Sequence, residues 1–151
     1  MLKGAILEDG DYCFTTLDEV FKGIENIQKQ YNWLITDIEC YPEKQSNIEL
    51  FSKEYCWLSG DELSEIIRGD NFQWIWGVFS GFSKSISKDD VLQFKLPYAD
   101  GNKELWKDKL SIQHPLAEIE IIAWDSSKTL IISKNDNIIN SFINYFYFSF
   151  E

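Results

Sequence analysis

Along this chain apolar and polar positions follow two periods, and each change of period marks an element. Residues 2–8 are short and mainly apolar and end at Asp9-Gly10-Asp11, which reads as a strand running into a turn. Thr16-Leu17-Asp18-Glu19 then has the form of a capping box. Leu17, Val20, Phe21, Ile24 and Ile27 follow at helical spacing, with Asp18, Glu19, Lys22, Glu25 and Lys29 left for water. Residues 31–41 return to extended character through Trp33, Ile35, Thr36 and Ile38. A loop over Pro42 to Asn47 leads to two short predicted strands, Ile48 to Phe51 and Tyr55 to Leu58, which could form a hairpin. Ser59-Gly60-Asp61-Glu62 is a second capping box, and Leu63, Ile66 and Ile67 make the buried stripe of a helix that Gly69 ends.

The run from Phe72 to Phe79 is apolar at odd and even positions alike, the mark of a strand covered on both faces and therefore central in its sheet. Ser87-Lys88-Asp89-Asp90 can cap a helical turn. Tyr98 to Pro115 is polar, with an Asp100-Gly101-Asn102 turn and an isolated Trp106; segments of that length inside a domain are often functional or mobile. Glu118 to Trp124 and Lys128 to Ser133 read as an antiparallel hairpin turning at Asp125-Ser126-Ser127. Asn135 or Asp136 starts a final helix with Ile138, Ile139, Phe142, Ile143 and Phe146 on one face. These elements predict one α+β domain over residues 1–151, a mainly antiparallel sheet with helices packed on its faces.

Composition narrows the picture. The 151 residues include 16% Phe, Trp and Tyr, which sets the chain apart from acidic disordered polymers. Acids outnumber bases 25 to 14, a net charge of -11, the wrong sign for a surface that binds DNA or RNA. The start is too short and too acidic to read as a signal peptide's apolar core, so no export signal is expected, and no apolar stretch is long enough for a membrane span. Cys13, Cys40 and Cys56 are odd in number and irregularly spaced, so reduced thiols in a cytoplasm are expected. Arg68 is the only arginine while Ile, Asn and Lys abound, pointing to an AT-rich bacterial gene.

Candidate chemistry is sparse. His114 is the only histidine, and no neighbour in sequence offers it a partner. Cys40 and Cys56 lie in strand-like apolar settings, where a thiol is usually a small hydrophobe. One histidine and unpaired cysteines do not build a usual zinc site, and the Asp100 turn lacks the ligands of a calcium loop. Gly77 and Gly81 belong to no phosphate-binding motif and fit a bulge or close packing. Trp74 and Trp76, two apart, should share one side of their strand and belong to the core. No catalytic residue, metal or cofactor is assigned, and an enzyme is not expected.

The charge has a location. Residues 1–70 hold 15 acids against 6 bases, net -9, and residues 71–151 hold 10 against 8, net -2. The early acids fall where the periods leave side chains to water. That pattern serves solubility, or it forms an electronegative face for a basic protein partner. Asp61, Glu62, Glu65 and Asp70 are the leading cluster, with Glu39 and Glu43 beside them.

Five segments carry a resemblance. They are Trp74-Ile75-Trp76-Gly77-Val78-Phe79-Ser80-Gly81-Phe82; then Leu96-Pro97-Tyr98-Ala99-Asp100-Gly101 with Ile112-Gln113-His114-Pro115-Leu116-Ala117-Glu118-Ile119-Glu120; and Trp124-Asp125-Ser126-Ser127 leading into Ile131-Ile132-Ser133-Lys134. Over roughly residues 31–147 the chain resembles bacterial immunity proteins of contact-dependent growth inhibition and related polymorphic toxin systems. The resemblance implies a small cytoplasmic antitoxin that binds and blocks a cognate toxin domain, commonly a nuclease. It assigns no catalytic residue and no binding surface. A different class of function, a small-molecule or enzymatic pocket around His114, Trp106 and Trp124, remains open on the sequence, as does a structural interaction domain with no toxin.

Overall fold

The computed structural model describes residues 2–8, 16–107 and 109–148. Cys13 and the expected turn at Asp9-Gly10-Asp11 lie outside them. Six strands form one sheet: β1 (Lys3–Leu7), β2 (Tyr31–Cys40), β3 (Tyr55–Ser59), β4 (Trp74–Ser83), β5 (Ile119–Trp124) and β6 (Lys128–Ser133). Their order is β1-β6-β5-β4-β2-β3, and every neighbouring pair is antiparallel. As its unbroken apolar run requires, β4 is interior, between β5 and β2. Together with the five α-helices among the described residues the sheet makes a single α+β domain.

The helices gather on one face of the sheet. They are α1 (Leu17–Gly23), α2 (Gln45–Leu50), α3 (Gly60–Gly69) and α5 (Asp136–Ile143), and the main core lies beneath them. Trp33, Ile35, Phe79, Ile119, Ile121 and Ile131 from the sheet meet Leu17, Val20, Leu63, Ile67, Ile139 and Phe142 there. Gly81 belongs to this packing: a Cβ on it would come within 2.4 Å of Ile119 Cγ2 and 3.1 Å of the Trp33 ring, so the glycine is what lets those two side chains meet over β4.

The helix starts differ in how they are made. At α3 the predicted capping box is complete: Glu62 N–H donates to Ser59 Oγ and Ser59 N–H to Glu62 Oε1. At α1 the helix forms without a side-chain cap from Thr16, whose backbone instead bridges to Gln73. Gly60 opens α3 against the 3-10 turn Ile27–Gln30, and a Cβ there would fall 2.1 Å from the Gln28 carbonyl oxygen.

Residues 84–107 and 109–118 cover the opposite face with little regular structure, among these described residues only α4 (Lys88–Val91) and a 3-10 turn, Lys103–Trp106. Val78, Ala99, Ile122, Leu130 and Ile132 form one buried cluster beneath this cover, and Leu34, Phe82, Val91 and Ala117 another. Among its described residues, the long polar loop expected over 98–115 is thus a packed lid, held by two of its polar side chains: Asn102 bonds Tyr98 and Glu104 within the lid, and Gln113 bonds Tyr98 and Glu120 of the sheet. Asp37, at φ 51° in a bulge of β2, accepts hydrogen bonds from the N–H groups of Ala99 and Asp100 at 2.8 and 2.9 Å.

Two expectations are corrected. Residues 48–51 are not a strand: Ile48 lies in α2, and Phe51 follows it as the C-cap. Trp74 and Trp76 do not share a side, because the β2–β4 register slips between Glu39 and Cys40, leaving Ile75 as an extra residue. Trp74 therefore turns into the main core against Phe51, Phe72 and Phe79, while Trp76 packs on the other face against Trp124.

Candidate functional site

The acids nominated for partner binding lie around α2 and α3 and at the far end of β2. Asp61 and Glu62 occupy the first turn of α3, where the helix's positive end favours carboxylates, and both are exposed. Glu65 is exposed one turn on and pairs with Arg68 at 2.8 Å. Glu62 also closes the capping box, so it is held in place. Glu43 is exposed just ahead of α2, and Glu39 is exposed opposite Trp76 in the irregular stretch of β2. Asp61 and Glu65, four apart, share a helix face, and α3 spans about 15 Å. Among the described residues, no lysine or arginine pairs with Asp61, Glu62, Glu39 or Glu43.

Asp70 is different and corrects the expectation that it faces water. It is 6% exposed. Its carboxylate accepts from Glu43 N–H at 3.1 Å, Lys44 N–H at 2.9 Å and Asn47 Nδ2 at 3.1 Å, all at the start of α2. Burial alone would raise its pKa; the hydrogen bonds from Lys44, Asn47 and Glu43 outweigh that and hold the carboxyl below the usual carboxylate range. Asp70 therefore supplies the cap that α2 lacks locally, and it joins Glu43 to the end of α3.

The residues weighed for catalysis are occupied. His114 is buried; its Nδ1 accepts from Leu116 N–H at 3.1 Å, so Nε2 carries the proton and donates to the Val91 carbonyl at 2.8 Å. Burial lowers its pKa, against a smaller opposing effect of the Val91 bond. Its ring packs edge-on against Phe82 and Phe94. Trp124 packs on the neighbouring cluster, with Trp106 against it, and neither tryptophan lines the groove that His114 touches. The groove that His114 does touch, about 420 Å³, is otherwise lined by Leu2, Leu110, Ile112 and Ala117 with Lys134 among its polar members. Burial pushes the thiols of Cys40 and Cys56 up to about 12 and about 11, far from the thiolate a nucleophile needs. Among the described residues, no three metal-binding side chains come together.

One functional-looking residue escaped the sequence pattern. Glu120 is fully buried in β5 on the lid-covered face, cross-strand from Ser80. It accepts from Gln113 N–H at 2.8 Å and Gln113 Nε2 at 3.3 Å, while the Gln113 amide also exchanges hydrogen bonds with the backbone of Tyr98. No cation pairs with it among the described residues, and burial raises its pKa to about 7. The visible signal was an acid inside Ile119-Glu120-Ile121-Ile122, where a strand buried on both faces leaves no polar position. Its geometry ties the lid to the sheet.

Neither the curated proteins nor the solved structures give a significant match to the chain. Among the described residues, no helix is long and apolar enough to cross a membrane. Residues 4–100 match the family described as "Protein of unknown function (DUF2691)", and with well over half of the chain inside that match, the chain belongs to this family.

Proposed function

We propose that this chain is a protein inhibitor of the immunity type, binding and neutralising a basic toxin domain, a nuclease, of a cognate contact-dependent growth inhibition effector. The observation that carries the reading is the set of exposed acids without cationic partners at Asp61, Glu62, Glu43 and Glu39, in the part of the chain that holds most of the -11 net charge. An uncompensated field of this kind speeds encounter with a basic partner and repels acidic competitors. Carboxylates on such a face also stand in for the phosphates that a nuclease's lysines and arginines engage. The alternative, an enzyme working at His114, finds both ring nitrogens already bonded to backbone.

The test is co-expression with the toxin domain encoded immediately upstream, followed by stopped-flow binding of the purified pair. Cells should survive, and association should slow as salt rises. Reversing three charges, Glu39→Lys with Glu43→Lys and Asp61→Lys, should slow association by roughly tenfold or more while the fold is kept. Failure of the wild-type chain to protect sinks the reading.

A further inference from the structure

Three tryptophans from distant parts of the chain meet at one end of the lid-covered face. Trp76 of β4 and Trp124 of β5 pack edge-on at 4.9 Å, and Trp106 from the lid's 3-10 turn packs edge-on against Trp124, also at 4.9 Å. The first two are half-buried and act as a buttress. Trp106 remains 38% exposed, a large apolar ring held firmly at the surface. The Lys128 ammonium sits over it, 5.4 Å from the ring centre, and 3.8 Å from the Glu8 carboxylate.

A cation resting on an indole face beside a carboxylate is the arrangement by which proteins recognise basic side chains. Two other lysines lie over tyrosines, Lys88 on Tyr55 and Lys95 on Tyr98, but among the described residues neither has a carboxylate within ion-pair range. Among the described residues, only the Trp106 site combines ring, buttress and acid. Lys128 fits it loosely: 3.8 Å is too long for a hydrogen bond, and Glu8 and Lys128 keep 52% and 39% of their side-chain surfaces exposed. A planar guanidinium would do better, stacking on the indole and bonding the carboxylate through two parallel N–H groups.

We infer that Trp106 and Glu8 form a seat for an arginine side chain of a basic protein partner, and that Lys128 holds this seat in the free chain. The inference rests on the reading that the partner is basic, and it adds where one of its side chains lands. On partner binding Lys128 swings out and the incoming guanidinium takes its place. Tryptophan and arginine are the residues most often found at the energetic centre of protein interfaces, and a fixed Trp loses little freedom on binding.

Hexa-arginine peptide, titrated at low salt, is the probe, read by tryptophan fluorescence and by the indole N–H resonance of Trp106, with circular dichroism confirming that each variant is folded. Trp106→Ala and Glu8→Gln should each weaken binding about five- to tenfold. Lys128→Ala should tighten it about three- to tenfold by emptying the seat, and by more than Lys29→Ala, which makes the same charge change at an exposed position of the Ile27–Gln30 turn. Unchanged binding in Trp106→Ala, or equal gains in the two lysine variants, overturns the inference. So does a fluorescence response to a neutral oligosaccharide with none to the peptide. The toxin domain separates the two readings: a Trp106→Ala chain that binds it as tightly as wild type sinks the seat alone. A wild-type chain that binds hexa-arginine at Trp106 but no toxin domain sinks the inhibitor reading alone.

Discussion

Glu120 is a carboxyl group placed where a strand has no water to offer it, and its proton is the cheaper way to keep it there. In the unfolded chain it loses that proton near 4.5, in the folded protein near 7. Between those values the folded state binds more protons than the unfolded state, so stability falls as pH rises from 4.5 to 7 and then levels off. The difference amounts to about 3 kcal/mol, a large share of a small domain's margin. Glu120→Gln keeps the shape and removes the titration. Urea unfolding at pH 5 and pH 8 should show the wild type losing stability by up to about that amount relative to the Gln variant. Parallel behaviour of the two proteins would mean that Glu120 ionises in the fold as freely as in the chain. His114 is the opposite case: hydrogen bonds to backbone on both sides make it a brace, and its sequence context, with no neighbouring partner, already favoured that structural role. Glu120 was harder to see, because a strand's alternation shows that a residue is buried but not which distant amide will satisfy it.

Elements whose determinants sit within a few residues were legible from the chain, and the others were not. The α3 capping box joins Ser59 to Glu62, and the β5–β6 hairpin turns through Asp125 and Ser126 at positive φ; both signals are local and both elements form where expected. Helix α2 has no such signal. Gln45 to Leu50 carries no local capping side chain, and the acceptor for the N–H groups that precede it is Asp70, 26 residues from Lys44. An isolated six-residue helix would not persist in water, so its stability depends on that long-range carboxylate and on Phe51 in the core. Asp70→Ala leaves two backbone N–H groups and the Asn47 amide without their acceptor, which should cost about 2–4 kcal/mol of unfolding free energy, measured by urea denaturation. Amide exchange should quicken selectively at residues 43–48. Uniform loss across the protein, with no preference for that stretch, would show that Asp70 supports the whole fold and not α2. The acidic surface was legible in the same partial way: Asp61, Glu62 and Glu65 face water as the helical period requires, whereas the period alone could not place Asp70, which lies just past the end of α3.

At the scale of the molecule, the strand order decides which part of the chain can stand alone. The stretch shared with the family, residues 4–100, contains β2, β3 and β4 as neighbours, but it also contains β1, whose partner in the sheet is β6. Between β1 and β4 lie the two strands contributed by residues 119–133. The same C-terminal third supplies Ile119, Ile121, Ile131, Ile138, Ile139 and Phe142 to the main core. At about 1.5–3 kcal/mol for each fully buried side chain, those six contribute roughly 9–18 kcal/mol of burial, comparable to or larger than a domain's entire net stability. A fragment ending at residue 100 would also leave one edge of β4 unpaired and uncover Trp33 and Phe79, an aggregation-prone surface. It should therefore show no cooperative thermal transition and poor dispersion of its amide resonances, while the full chain melts in one step. A fragment that folded would mean that β2, β3 and β4 with α1 and α3 close a core of their own. The C-terminal hairpin and α5 would then be an addition to that core, despite the order in which the strands pair.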